Sequence, residues 1–148
     1  MNQKLSRFVL LTVAAVALIF GLMTIASGGK VLFGGDAARA AAGNYLPFVV
    51  WFNFIAGFAY VAAAAGLAIG QAWAARLALF IALATALAFL IFGLLAMTGT
   101  PYEPRTVGAM TLRTALWAGI AGILKATTGT NEVISTIMLN WIAIWIGV

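Results

Sequence analysis

The chain has 148 residues, 65% of them hydrophobic and only 7% charged, whereas a soluble domain carries about 25% charged residues. With a mean hydropathy of +1.12 it has too little polar surface to coat a particle in water, which excludes a soluble globule and makes lipid its solvent. Cys and His are both absent, which excludes disulfide and thiol chemistry and removes the usual haem, zinc and copper ligands and the commonest general base.

The first expected element is a transmembrane helix over residues 8–26, uncharged and, at about 1.5 Å per residue, long enough to cross about 30 Å of hydrocarbon. Lys4 and Arg7 precede it and Thr24-Ile25-Ala26 is a poor cleavage site, so a span is preferred to a signal peptide. Residues 27–45 read as an interfacial loop. Its glycines, Gly28, Gly29, Gly34 and Gly35, punctuate the chain, and its alanines favour a short helix with Asp36 as N-cap. No phosphate-binding glycine pattern is present.

A second span is expected over residues 47–70, with Pro47 in its first turn. Tyr45 and Trp51 at its entry and Trp73 beyond its exit stand where aromatic anchors sit at the two headgroup levels. Ala62, Gly66 and Gly70 form a small-residue stripe, and the third span, residues 75–97, repeats it with Ala74, Ala78, Ala82 and Ala86. Such stripes let helices approach closely, within the chain or in a homo- or hetero-oligomer. Gly99, Pro101 and Pro104 then break the chain before a fourth span over residues 106–124. A polar hinge leads to an apolar tail, residues 133–148, marginal for crossing and expected as a short fifth helix.

Arg113 stands out because it lies inside the fourth span, where an arginine costs several kcal/mol and needs a partner or water. Glu103, Asn53 and Tyr60 are candidate partners, and Trp117, one turn on, is a candidate for stacking on the guanidinium. These five residues define a candidate polar ligand pocket; the competing reading is a structural clamp or a snorkelling arginine. The only carboxylates, Asp36, Glu103 and Glu132, are widely separated. No catalytic set, cofactor or metal site is therefore expected, and the protein reads as a non-enzyme. The net charge of +5 comes from isolated Lys and Arg residues, which suits membrane lipids as partners and not nucleic acid. With the N terminus in the cytoplasm, Lys4, Arg7, Arg76 and Lys125 fall inside and Lys30, Arg39 and Arg105 outside.

Composition changes near Gly122 from Ala-rich to Ile-rich, which divides the chain into residues 1–124 and a tail, 125–148, of different origin. Within the tail, Asn131-Glu132-Val133-Ile134-Ser135-Thr136-Ile137-Met138-Leu139-Asn140 resembles an internal segment of the permease subunits of bacterial ABC importers for simple sugars and nucleosides. That resemblance implies an ATPase subunit and a binding protein as partners. Residues 1–121 resemble a group of small bacterial four-helix membrane proteins with a DoxX-like plan, through Asn44-Tyr45-Leu46-Pro47-Phe48 and Tyr102-Glu103-Pro104-Arg105-Thr106.

The expectation is an all-α integral membrane bundle of four transmembrane helices plus a short fifth C-terminal helix, in a bacterial cytoplasmic membrane. Its leading functional reading is a non-enzymatic accessory or interaction protein. The alternatives are a small transporter or ligand-binding protein using Arg113, and an ABC permease fragment.

Overall fold

The computed structural model describes residues 3–128, and all regular structure within them is helical. Helices α1 (Gln3–Phe33), α2 (Gly35–Ala42), α3 (Pro47–Ala68), α4 (Ala72–Met97) and α5 (Pro104–Thr128) follow in chain order. All but α2 are long and apolar enough to cross a membrane, and the protein is a membrane-spanning bundle. Its surface agrees with that solvent. Ile19, Met23, Ile55, Phe80 and Leu87 face outward while alanines fill the interior, an arrangement suited to helices bathed in lipid and held by close packing.

Short connections make the long helices alternate in direction. One end of the bundle carries the start of α1, the α3–α4 turn and the end of α5; the opposite end carries α2 and the α4–α5 loop. We call these the near and far ends. The near turn is tight because Gly70, at φ +72°, takes a conformation that a side chain would resist. At the far end, Gly43 adopts φ +71°, and a Cβ there would collide with the Glu103 carboxylate. Glu103 Oε1 accepts the Asn44 N–H at 3.0 Å, tying the entry of α3 to the start of α5.

Helix α3 packs against both α1 and α4, and α5 packs against α4. The α1–α3 seam is the closest, because glycines on both helices remove the side chains that would hold them apart. A Cβ at Gly57 would come within 2.6 Å of Ile25 Cγ1 and 3.2 Å of the Gly21 carbonyl, and one at Gly28 within 3.1 Å of Phe54 Cβ.

This seam accounts for several departures from the expected elements. The residues from Ser27 to Phe33, read as loop, extend α1, because Gly28 and Gly29 lie against Phe54 and a continuous helix satisfies its own backbone in lipid. The chain turns instead at Gly34 and Gly35, the latter at φ +81°. That places the N-cap at Gly34 and Asp36 inside the first turn, where its carboxylate lies 3.7 Å from Arg39. Of the stripe expected on the second span, Ala62 is exposed, Gly70 lies exposed in the turn beyond α3, and only Gly66 is buried. The inward face runs through Gly57, Tyr60, Ala63, Ala64 and Leu67, at true helical spacing. Ala74, Ala78 and Ala82 of α4 do face inward. Lys125 lies in the last turn of α5, which continues to Thr128. The expected helix over residues 133–148 lies outside the described residues; the short helix within them is α2.

Candidate functional site

The inward face of α5 is set by Met110, Arg113, Trp117, Ile120 and Leu124, all buried and spaced by three or four residues. Arg113 therefore points into the bundle because its neighbours on that face are apolar, and only 7% of it is exposed. Tyr60 occupies the equivalent face of α3, and Thr85 that of α4. Counting from the far ends of their helices, Arg113 lies about 14 Å deep, and Thr85, Tyr60 and Trp117 about 18–20 Å deep. Three helices thus deliver polar side chains to one layer.

The fourth helix contributes Phe20. The Arg113 guanidinium lies over its ring, 5.6 Å from the centroid, and the same ring stacks on Tyr60 at 6.0 Å. Tyr60 meets Trp117 across the bundle, with centroids 4.7 Å apart and planes tilted by 40°. Arg113 Nη1 donates to Met110 Sδ at 3.7 Å, a weak acceptor.

The layer is short of acceptors. Arg113 Nε, Trp117 Nε1, the Tyr60 hydroxyl and the Thr85 hydroxyl are all buried without a hydrogen-bond partner, although the Tyr60 hydroxyl neighbours Thr85, Trp117 and the Arg113 charge. Tyr60, Thr85 and Trp117 are fully buried. Guanidinium and indole groups can only donate, and a hydroxyl can donate as well as accept, so the layer offers convergent donors around one positive charge. Each unsatisfied buried group costs about 1–3 kcal/mol.

Apolar clusters close the layer above and below. Toward the far end lie Leu46, Val49, Ala88, Phe92 and Met110; toward the near end Leu67, Ala74, Ala78, Ile120 and Leu124 belong to the main core.

Of the residues singled out in the sequence, Arg113, Tyr60 and Trp117 come together. Trp117 pairs with Tyr60, and Phe20 takes the place beside the guanidinium expected for it. Asn53 lies on the same face of α3 as Tyr60, two turns nearer the far end, with its Oδ1 buried and unpartnered. Glu103 is not part of the layer: it precedes α5 and engages Asn44 and, at 3.7 Å, Arg105. Sequence reasoning missed Phe20, Met110 and Thr85. A signal existed only for Thr85, the sole polar residue between Arg76 and Thr98.

Among the described residues no group of three or more His, Cys, Asp or Glu side chains is placed to hold a metal ion. No family of known proteins matches the chain, and no curated protein or solved structure does. The layer is therefore read from its own chemistry.

Proposed function

We propose that this protein binds a small monoanion within the membrane, at the layer formed by Arg113, Tyr60, Thr85 and Trp117. One observation carries the reading: four buried polar side chains from three helices converge with more donors than acceptors, and the Arg113 guanidinium finds only the Met110 thioether. Of the carboxylates, Asp36 and Glu103 stand at the far end, on Arg39 and on Asn44 and Arg105, so the Arg113 charge has no counter-ion among the described residues. A single negative charge able to accept two or more hydrogen bonds would neutralise the guanidinium and satisfy the neighbouring donors. At this depth the occupant is a small anion and not a phospholipid headgroup, which stays at the interface.

The apolar clusters on either side favour a binding site over a continuous polar path. The small-residue faces that motivated an accessory role are in part used up internally, since Ala74, Ala78 and Ala82 pack in the core. The excess of positive charge at the near end supports a cytoplasmic N terminus in a bacterial inner membrane.

The test uses full-length protein in lipid nanodiscs, with chloride, nitrate and acetate as probes and acetamide as the neutral control. The anions are expected to raise the unfolding temperature and acetamide to leave it unchanged, with Arg113→Gln abolishing the effect and Arg113→Lys retaining part of it. Equal stabilisation of wild type and Arg113→Gln would refute the reading, as would indifference to every anion.

A further inference from the structure

A second feature lies at the near end, away from Arg113. A crevice of about 300 Å³ opens between α1 and the α3–α4 turn, with Leu10, Leu67, Ala72 and Ala75 as its apolar wall and Gln71 and Arg76 as its polar rim. We propose that this crevice holds an anionic phospholipid, its phosphate on Arg76 and Gln71 and one acyl chain along Leu10, Leu67 and Ala75.

Several independent observations favour that occupant. Arg76 is exposed and makes no ion pair or hydrogen bond among the described residues. The Gln71 side chain does not cap α4, so its amide and the N–H groups of Ala72 and Trp73 are available to an acceptor, whereas the Ala74 N–H donates to the Gln71 carbonyl. Trp73, half exposed beside the rim, marks the headgroup level, which is the depth of a phosphate and not of a free solute in the core. Arg7, Arg76 and Lys125 belong to this end, while Asp36 and Glu103 belong to the other. The near end is thus positive without a described carboxylate, which favours an anionic over a zwitterionic lipid. The apolar wall distinguishes a lipid from inorganic phosphate, which would gain nothing from Leu10 and Leu67.

The experiment measures retained lipid by native mass spectrometry of the full chain, titrated in mild detergent with phosphatidylglycerol and phosphatidylcholine together. Wild type is expected to retain phosphatidylglycerol preferentially. Arg76→Gln should lower that retention by about tenfold or more, because it removes a direct charge-assisted contact with the phosphate, and Arg76→Lys should restore most of it. Ala72→Leu, which narrows the crevice at an exposed position and leaves the charge intact, should lower it too. Lys125→Gln, outside the crevice, removes only diffuse attraction and should lower it by no more than about fivefold. Equal retention of both lipids overturns the proposal. So does an equal loss in Lys125→Gln, which would mean diffuse attraction, or competition by glycerol phosphate as effective as the lipid, which would mean a phosphate site without an acyl chain. Arg113→Gln should retain lipid like wild type, so this outcome stands apart from the fate of the monoanion site.

Discussion

Thr85 and Tyr60 carry hydroxyls in a layer that gives them no partner. Burying an unsatisfied hydroxyl costs free energy that an apolar side chain of similar shape does not. Thr85→Val and Tyr60→Phe should therefore stabilise the anion-free protein by about 1 kcal/mol each, seen as higher unfolding temperatures in nanodiscs. Both should also reduce the further stabilisation that chloride or acetate provides. A lower melting temperature in anion-free buffer for both variants would mean that the hydroxyls are already satisfied, and the layer would be a structural network. Met110 belongs to the same argument, since its thioether is a poor acceptor for a guanidinium N–H and a flexible side chain can yield its place to a better one.

For the helices, the seam between α1 and α3 is the element on which the layer depends, because it brings Phe20 against Tyr60. Gly57 and Gly21 make that approach possible by leaving no room for a side chain. Gly57→Val should cost about 1–3 kcal/mol through overpacking, lowering the unfolding temperature and weakening anion binding together. Gly119→Ala is the matched control, since a Cβ there meets open space; it should be neutral or stabilising by up to about 1 kcal/mol. Equal losses at the two positions would show that helix approach is not what Gly57 provides. At the far end the Glu103 link to Asn44 is an element-level device of another kind, fastening a loop and standing about 15 Å along the axis from Arg113.

Across the whole molecule, charge is distributed unequally between the two ends, and this bears on orientation. Because the chain has no Cys, single cysteines report topology without background. Asp36→Cys in intact cells should react with a membrane-impermeant maleimide, and Arg76→Cys only after permeabilisation. The opposite pattern would reverse the orientation and move the anionic-lipid crevice to the outer leaflet, with its chemistry unchanged.

How much of this was legible before folding follows from the range of the interactions involved. Hydrophobic length, proline position and charge are local, so the sequence alone determined four membrane-crossing helices, their approximate limits and the unusual cost of Arg113. The helix period also placed Trp117 one turn from Arg113 on the same face. What Arg113 meets there was decided only in three dimensions, by glycines on two helices allowing Phe20 and Tyr60 to close in. Another part of the same seam, where Gly28 and Gly29 lie against Phe54, turned the apparent loop after Ala26 into helix. Glu103 reads in the sequence as the natural counter-ion for Arg113 because both are charged and near in the chain. Folding separates them because a helix rises along its axis: the carboxylate stays at the surface with the Asn44 amide while the guanidinium is carried inward. Long-range contacts of this kind depend on which faces meet, and that is a property of the packed bundle, not of any one segment.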